Sequence, residues 1–192
     1  MDFLIDIDLK IKKIFRYYEL YGAKDYIGEP VTQTSHMIQA AMMAEKDGKP
    51  KSIILAALFH DIGHLIGFDE DINLETMGDV GIKNHERIGG ALLRYLDVPY
   101  PIPELVEGHV KAKRYLTYIN PEYLNNLSPA SRKSLEYQGG PMNKEEAEEF
   151  KQDELFEHYL SMRSYDDRAK ELNVKINSLE YYKNMLREVL LS

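Results

Sequence analysis

The 192-residue chain contains no cysteine. Disulfides, thiolate-bound zinc, iron–sulfur clusters and a cysteine nucleophile are therefore excluded, and any metal must be held by histidine, carboxylate, tyrosine or water. Long hydrophobic runs are missing too: no apolar stretch approaches the roughly 20 residues that a membrane-spanning helix needs, so no membrane partner is expected. The N-terminal MDFLIDIDLKIKK mixes acidic residues among its apolar ones, unlike a signal peptide, and a cytoplasmic protein is the simplest expectation. Positive charge is scarce, with 24 Lys and Arg against 32 Asp and Glu and a formal net charge of −8. No basic stripe appears, which argues against a nucleic-acid partner. Alternating strand patterns of useful length, internal repeats and low-complexity tracts are absent as well.

What remains is helical periodicity. A chain of 192 residues fits one domain, residues 1–192, and a domain of this size buries roughly 70% of its unfolded surface. From Leu4 to Leu20, apolar residues recur at helical spacing and Gly22 supplies a stop. Helices are expected at about Gln33–Lys46, from Pro50 through an apolar run Ile53–Phe59, at about Ile82–Leu96 and at about Pro103–Tyr118. Asn120-Pro121 and Ser128-Pro129 each pair a cap with proline at the first helical position, and Asn143 with Glu146 suits a capping box. Two further helices fall at about Asp153–Leu172 and Ser178–Leu191, while residues 67–80 have the polarity of a surface loop. The expectation is an all-α helical bundle of about eight to ten helices.

The apolar run ends in the adjacent pair His60-Asp61, with His64 four residues after His60 and so expected on the same helical face. A buried helix has no packing reason to end in neighbouring imidazole and carboxylate groups. It has one if it binds metal, because an imidazole supplies one nitrogen and the two oxygens of an aspartate can bridge two ions. Separate predicted helices carry His36, His60-Asp61, His85, His109 and Asp166, and a helical bundle can project such groups inward onto a shared pair of ions. The ligand types suit non-haem iron but also manganese, zinc or magnesium.

The pattern His36, His60-Asp61 and Asp166 resembles the HD-domain superfamily of helical metal-dependent enzymes, most of which hydrolyse phosphate esters. The stretches Tyr26-Ile27-Gly28-Glu29, His60–His64, Glu107–Leu116 (EGHVKAKRYL) and Ser131–Met142 (SRKSLEYQGGPM) are similar to the mixed-valent di-iron oxygenases within it. The likeness covers roughly residues 25–170. It implies two iron ions, Fe(II)/Fe(III), with O2 as co-substrate. His36, His60, Asp61 and Asp166 would hold one ion, and Asp61 would bridge to a second held also by His85 and His109.

The resemblance further implies that Tyr26 is a ligand to iron displaced by substrate, and that Glu29 faces a cationic group of the substrate. Lys113, one helical turn after His109, and Arg163, three residues before Asp166, each share a face with a predicted ligand and so should point inward, where a phosphonate would be their partner. Ser131 and Gln138 match family positions near the phosphonate and its pocket, and His64, a turn beyond His60, would donate or carry a proton near the substrate. The implied reaction is cleavage of the carbon–phosphorus bond of a small-molecule 1-hydroxyphosphonate, either 2-amino-1-hydroxyethylphosphonate or its N-trimethyl analogue. The products would be a carboxylic acid of the glycine or betaine type and phosphate. Metal-dependent phosphate-ester hydrolysis and a non-catalytic metal-binding regulatory module are the alternatives. The 2-substituent of the substrate, the oligomeric state and the electron source are left open by the sequence.

Overall fold

The computed structural model describes residues 2–26 and 29–192, with side chains from residue 6 onward. Ile27 and Gly28, and the side chain of Leu4, lie outside the described residues. The architecture is all-helical: α1 (Asp2–Tyr21), α2 (Gln33–Lys46), α3 (Lys51–Phe59), α4 (Ile62–Ile66), α5 (His85–Tyr95), α6 (Ile102–Ile119), α7 (Pro121–Asn126), α8 (Pro129–Tyr137), α9 (Lys144–Phe150), α10 (Phe156–Arg168) and α11 (Leu179–Leu191). Extended pairing among the described residues is limited to two isolated bridges, Asp25–Thr32 and Thr76–Ile82. No described helix is long and apolar enough to cross a membrane.

The eleven helices among the described residues exceed the expected eight to ten because the motif-bearing helix is broken into α3 and α4. The caps follow the sequence closely. Thr32, Asn120, Ser128 and Ser178 each accept a backbone N–H of the first turn, and Asn143 and Glu146 form the reciprocal capping box. α5 starts three residues later than the periodicity suggests, at His85, because Asn84 takes a left-handed conformation (φ 58°) that interrupts the chain just before it.

α3 is the axis of the molecule. Every residue from Ile53 to Phe59 is buried, and the helix packs against α2, α6, α10 and α11. A helix apolar all round has nowhere to lie except inside. Burial of each large side chain here contributes about 1.5–3 kcal/mol relative to exposure. α6 crosses α10 closely because Gly108 has no side chain: a Cβ there would lie 1.9 Å from the Tyr159 ring. That approach brings His109 and Lys113 of α6 alongside Arg163 and Asp166 of α10. The polar 67–80 stretch is only partly the surface loop its composition suggests, since Met77 and Val80 are buried and turn inward.

Candidate metal centre

The His60-Asp61 doublet stands where the axis breaks. His60 keeps helical dihedrals (φ −53°, ψ −37°), Asp61 leaves them (φ −106°, ψ 13°), and α4 restarts at Ile62. The break corrects one expectation: His60 and His64 do not lie on one face of a continuous helix. α4 instead stacks His64 on His85, with ring centroids 3.9 Å apart and planes at 18°. Gly63 makes that approach possible, because a Cβ there would sit 2.0 Å from the His85 carbonyl oxygen.

Six predicted ligands converge, all of them buried. His36 Nε2 lies 3.0 Å from His60 Nε2, 3.5 Å from Asp61 Oδ2 and 3.3 Å from Asp166 Oδ1. On the other side, Asp61 Oδ1 lies 3.2 Å from His85 Nε2 and 3.6 Å from His109 Nε2, and the two imidazole nitrogens are 3.2 Å apart. The donors thus form two groups, and Asp61 belongs to both, with one oxygen turned to each. Donors about 2.1 Å from a common ion stand roughly 3.0 Å apart at right angles and 3.4 Å apart in a tetrahedron. The observed separations fall around these values, so the residues fit two metal ions bridged by the Asp61 carboxylate.

The opposite ring nitrogens are held by backbone carbonyls: His36 Nδ1 by Ala169 at 2.9 Å, His60 Nδ1 by Ala57 at 2.8 Å and His109 Nδ1 by Val106 at 2.7 Å. Each bond fixes a tautomer that leaves Nε2 free to ligate. His85 differs. Its Nδ1 has no hydrogen-bond partner and faces the buried Glu86 carboxylate at 3.6 Å.

Without ions, protons balance the charges. Burial opposes ionisation of Asp61 and Asp166, yet His60, His36 and His85 around the first, and Arg163, His36 and His60 around the second, hold both carboxyls well below their usual range. Burial likewise opposes a charge on His60, but Asp61 and Asp166 raise its pKa to about 10. His36 is raised by the same two carboxylates against its own burial. Burial and the neighbouring His85 push His109 down to about 3 and hold His64 well below its ordinary value. His64 Nδ1 accepts the Ile82 N–H at 3.1 Å, so its proton sits on Nε2.

A narrow cleft that opens to solvent reaches this cluster. It is lined by Tyr26, Glu29, His64, Lys113, Ser131, Gln138 and Arg163, every predicted substrate-side residue. The Tyr26 ring stacks on His36 at 3.8 Å, and burial together with Asp61 and Asp166 raises its hydroxyl well above the normal range. Gln138, at the cavity wall, has a buried side-chain oxygen with no hydrogen-bond partner among the described residues.

Lys113 is 3% exposed, and its ammonium makes one hydrogen bond, to Ser134 Oγ at 2.9 Å. Burial, and after it the Arg163 guanidinium, lower its pKa to about 7. Arg163 is differently placed. Its Nε donates to Tyr123 Oη at 2.8 Å, Nη1 to Asp166 Oδ2 at 2.6 Å and Nη2 to Asp167 Oδ1. It orients Asp166, and two of its five N–H groups are left for a ligand. Glu29 accepts an ion pair from Lys170 Nζ at 2.7 Å.

Sequence reasoning passed over Ser134, Tyr123, Asp167 and Lys170. Ser134 follows Ser131 at helical spacing, and Asp167 lies four residues after Arg163, so both were findable from periodicity. Lys170 had no such signal, because its partner is 141 residues away.

Comparison with known proteins places these residues in a family context. The HD domain family matches residues 35–170, which include all six clustered donors. An uncharacterised protein of Acanthamoeba polyphaga mimivirus is 47% identical over 94% of this chain and 81% of its own length. The [1-hydroxy-2-(trimethylamino)ethyl]phosphonate dioxygenase (glycine-betaine-forming) of Leisingera caerulea is 37% identical over 90% of this chain and 86% of its own. The hydroxymethylphosphonate dioxygenase of Gimesia maris is 34% identical, over 90% and 84% respectively.

Proposed function

Because the chain belongs to the HD-domain family and is similar along most of its length to phosphonate dioxygenases, we propose that it is an iron-dependent oxygenase that cleaves the carbon–phosphorus bond of a small 1-hydroxyphosphonate. The overall change consumes one O2: the C1–H and C1–P bonds break, and C1 leaves as a carboxylic acid while phosphorus leaves as inorganic phosphate. The observation that carries this reading is the pair of donor groups sharing Asp61, set against a buried lysine that has no anion of its own.

Two iron ions, held by His36, His60, Asp61 and Asp166 and by Asp61, His85 and His109, would activate O2 and polarise the substrate oxygens as Lewis acids. The chain's own residues supply the rest. Lys113, itself almost fully buried, offers an ammonium to the phosphonate, so the attraction is screened less than at the surface. Arg163 lines the same cavity and has two unused N–H groups to offer, while its bonded ones keep Asp166 in place. Ser131 and Gln138 border the anion side, and the unpartnered Gln138 oxygen awaits a donor such as a substrate hydroxyl.

His64 is neutral at physiological pH and presents a donating Nε2–H, which suits it to steady a developing negative oxygen or to pass a proton. Tyr26, stacked on a ligand histidine at the cavity wall, is positioned to be exchanged for substrate. The test is oxygen uptake with a panel of (R)-1-hydroxyphosphonates, with phosphate followed by ³¹P NMR. Phosphate should appear only when O2 is consumed. Release from a phosphate ester without oxygen, in protein loaded with zinc or magnesium, would favour hydrolysis instead.

A further inference from the structure

The cavity's charges are not free to the same degree. Glu29 brings a carboxylate into it, but that carboxylate is already paired with Lys170 at 2.7 Å. Both side chains are largely buried, at 16% and 19% exposure, so the pair is screened far less than one on the surface. Lys170 is also fixed from a second side: its Nζ stands 6.0 Å over the Tyr26 ring, and its neighbour Ala169 holds His36 through the backbone. With Glu29 cancelled by Lys170 and Arg163 committed to Asp166 and Asp167, the unmatched side-chain charge lining the cavity among the described residues, metal donors aside, is the ammonium of Lys113. Met77 and Val80 add apolar wall.

From this distribution we infer that Lys170 determines substrate specificity: by neutralising Glu29, it tunes the pocket to a 1-hydroxyphosphonate whose remaining substituent is uncharged, such as hydrogen or a small alkyl group. The inference rests on the proposed carbon–phosphorus cleavage and adds the substrate class. An ammonium or trimethylammonium group entering here meets only the second oxygen of a Glu29 carboxylate that Lys170 already neutralises, and it lies beside the Lys170 cation, where like charges repel. An uncharged substituent leaves the pair intact and packs on the apolar wall. For hydroxymethylphosphonate the balanced change is substrate plus O2 to formate and phosphate, with no further oxidant or reductant consumed.

Iron-reconstituted wild type, Lys170→Met and Lys170→Arg are compared with hydroxymethylphosphonate, 2-amino-1-hydroxyethylphosphonate and its N-trimethyl analogue, by oxygen uptake and ³¹P NMR. Wild type should favour hydroxymethylphosphonate by at least tenfold in kcat/KM. Lys170→Met should move that ratio at least tenfold towards the cationic substrates by releasing Glu29, and Lys170→Arg should keep the wild-type order. A wild type that prefers either cationic substrate, or a ratio unmoved in Lys170→Met, overturns the inference and leaves carbon–phosphorus cleavage standing. If wild type releases no phosphate from any of the three, the functional reading itself falls and the inference with it. Should Lys170→Met not fold, the wild-type order and the Lys170→Arg ratio decide the matter alone.

Discussion

Lys113 is held in the fold at a cost, and replacing it with methionine should separate what it does for stability from what it does for binding. Its pKa falls from the ordinary 10.5 to about 7 on burial, which corresponds to roughly 5 kcal/mol against the charged form. Local relaxation, and the hydrogen bond to Ser134, worth about 1 kcal/mol, reduce the recoverable part. Lys113→Met, which keeps the side chain's length without its charge, should therefore stabilise the metal-free protein by about 3 kcal/mol near pH 7. That is a rise in melting temperature of roughly 6–12 °C for a chain of this size. The sign with pH follows from the depressed pKa. Between pH 7 and 10.5 the unfolded chain binds the extra proton, so the wild type gains stability as pH rises and its deficit relative to the variant closes across that window.

Binding should move the other way. Removing the cation that meets a phosphonate costs about 2–3 kcal/mol, or roughly 30- to 150-fold in Kd, at unchanged iron content. Calorimetric titration with hydroxymethylphosphonate under anaerobic conditions, beside thermal unfolding of the metal-free forms, reads both effects. A variant no more stable than wild type, with wild-type phosphonate affinity, would refute the picture of Lys113 as a buried cation kept for an anion.

Other perturbations probe the metal centre. Asp61→Ala should abolish binding of both ions, whereas His109→Ala should leave about one per chain, as measured by elemental analysis; equal losses would show that Asp61 is not shared. Because His60 keeps its proton up to about pH 10, metal must displace it, and apparent affinity should climb by up to tenfold per pH unit below that value with net proton release; affinity that is flat from pH 6 to 9 would contradict this. Gly63→Ala puts a Cβ into the His85 carbonyl and should cost the ion shared by Asp61, His85 and His109 while far-UV circular dichroism stays helical; full two-ion loading would show that the contact is slack. Arg163→Lys, which cannot span Asp166, Asp167 and Tyr123 together, should lower metal affinity about 10- to 100-fold.

How much of this was legible in advance depended on the range of the interaction involved. The helices of residues 33–46 and 179–191 and the caps at Asn120, Ser128 and Asn143 are local: their causes lie within four residues, and the chain spells them out. The metal donors were legible for another reason. Histidine and aspartate on otherwise apolar helices are costly unless they have partners, so their positions already announced one another. The break at Asp61 was not visible, because helical periodicity runs through it, and the close approach of α5 to Gly63 that accompanies it is a tertiary contact.

The charge state of the cavity was the least legible feature, and it bears most on function. Glu29 by itself has the sign to receive a cation, and Arg163 by itself has the shape to clamp an anion. Neither reading can see that Lys170, Asp167 and Tyr123 have already taken up much of those capacities, because Lys170 comes from far along the chain and Tyr123 from a different helix. Among the described residues a single hydroxyl, that of Ser134, reaches Lys113, so its charge is left available. The residues that line the cavity can thus be named from the sequence, whereas the charge they still have to offer depends on partners the fold brings from elsewhere.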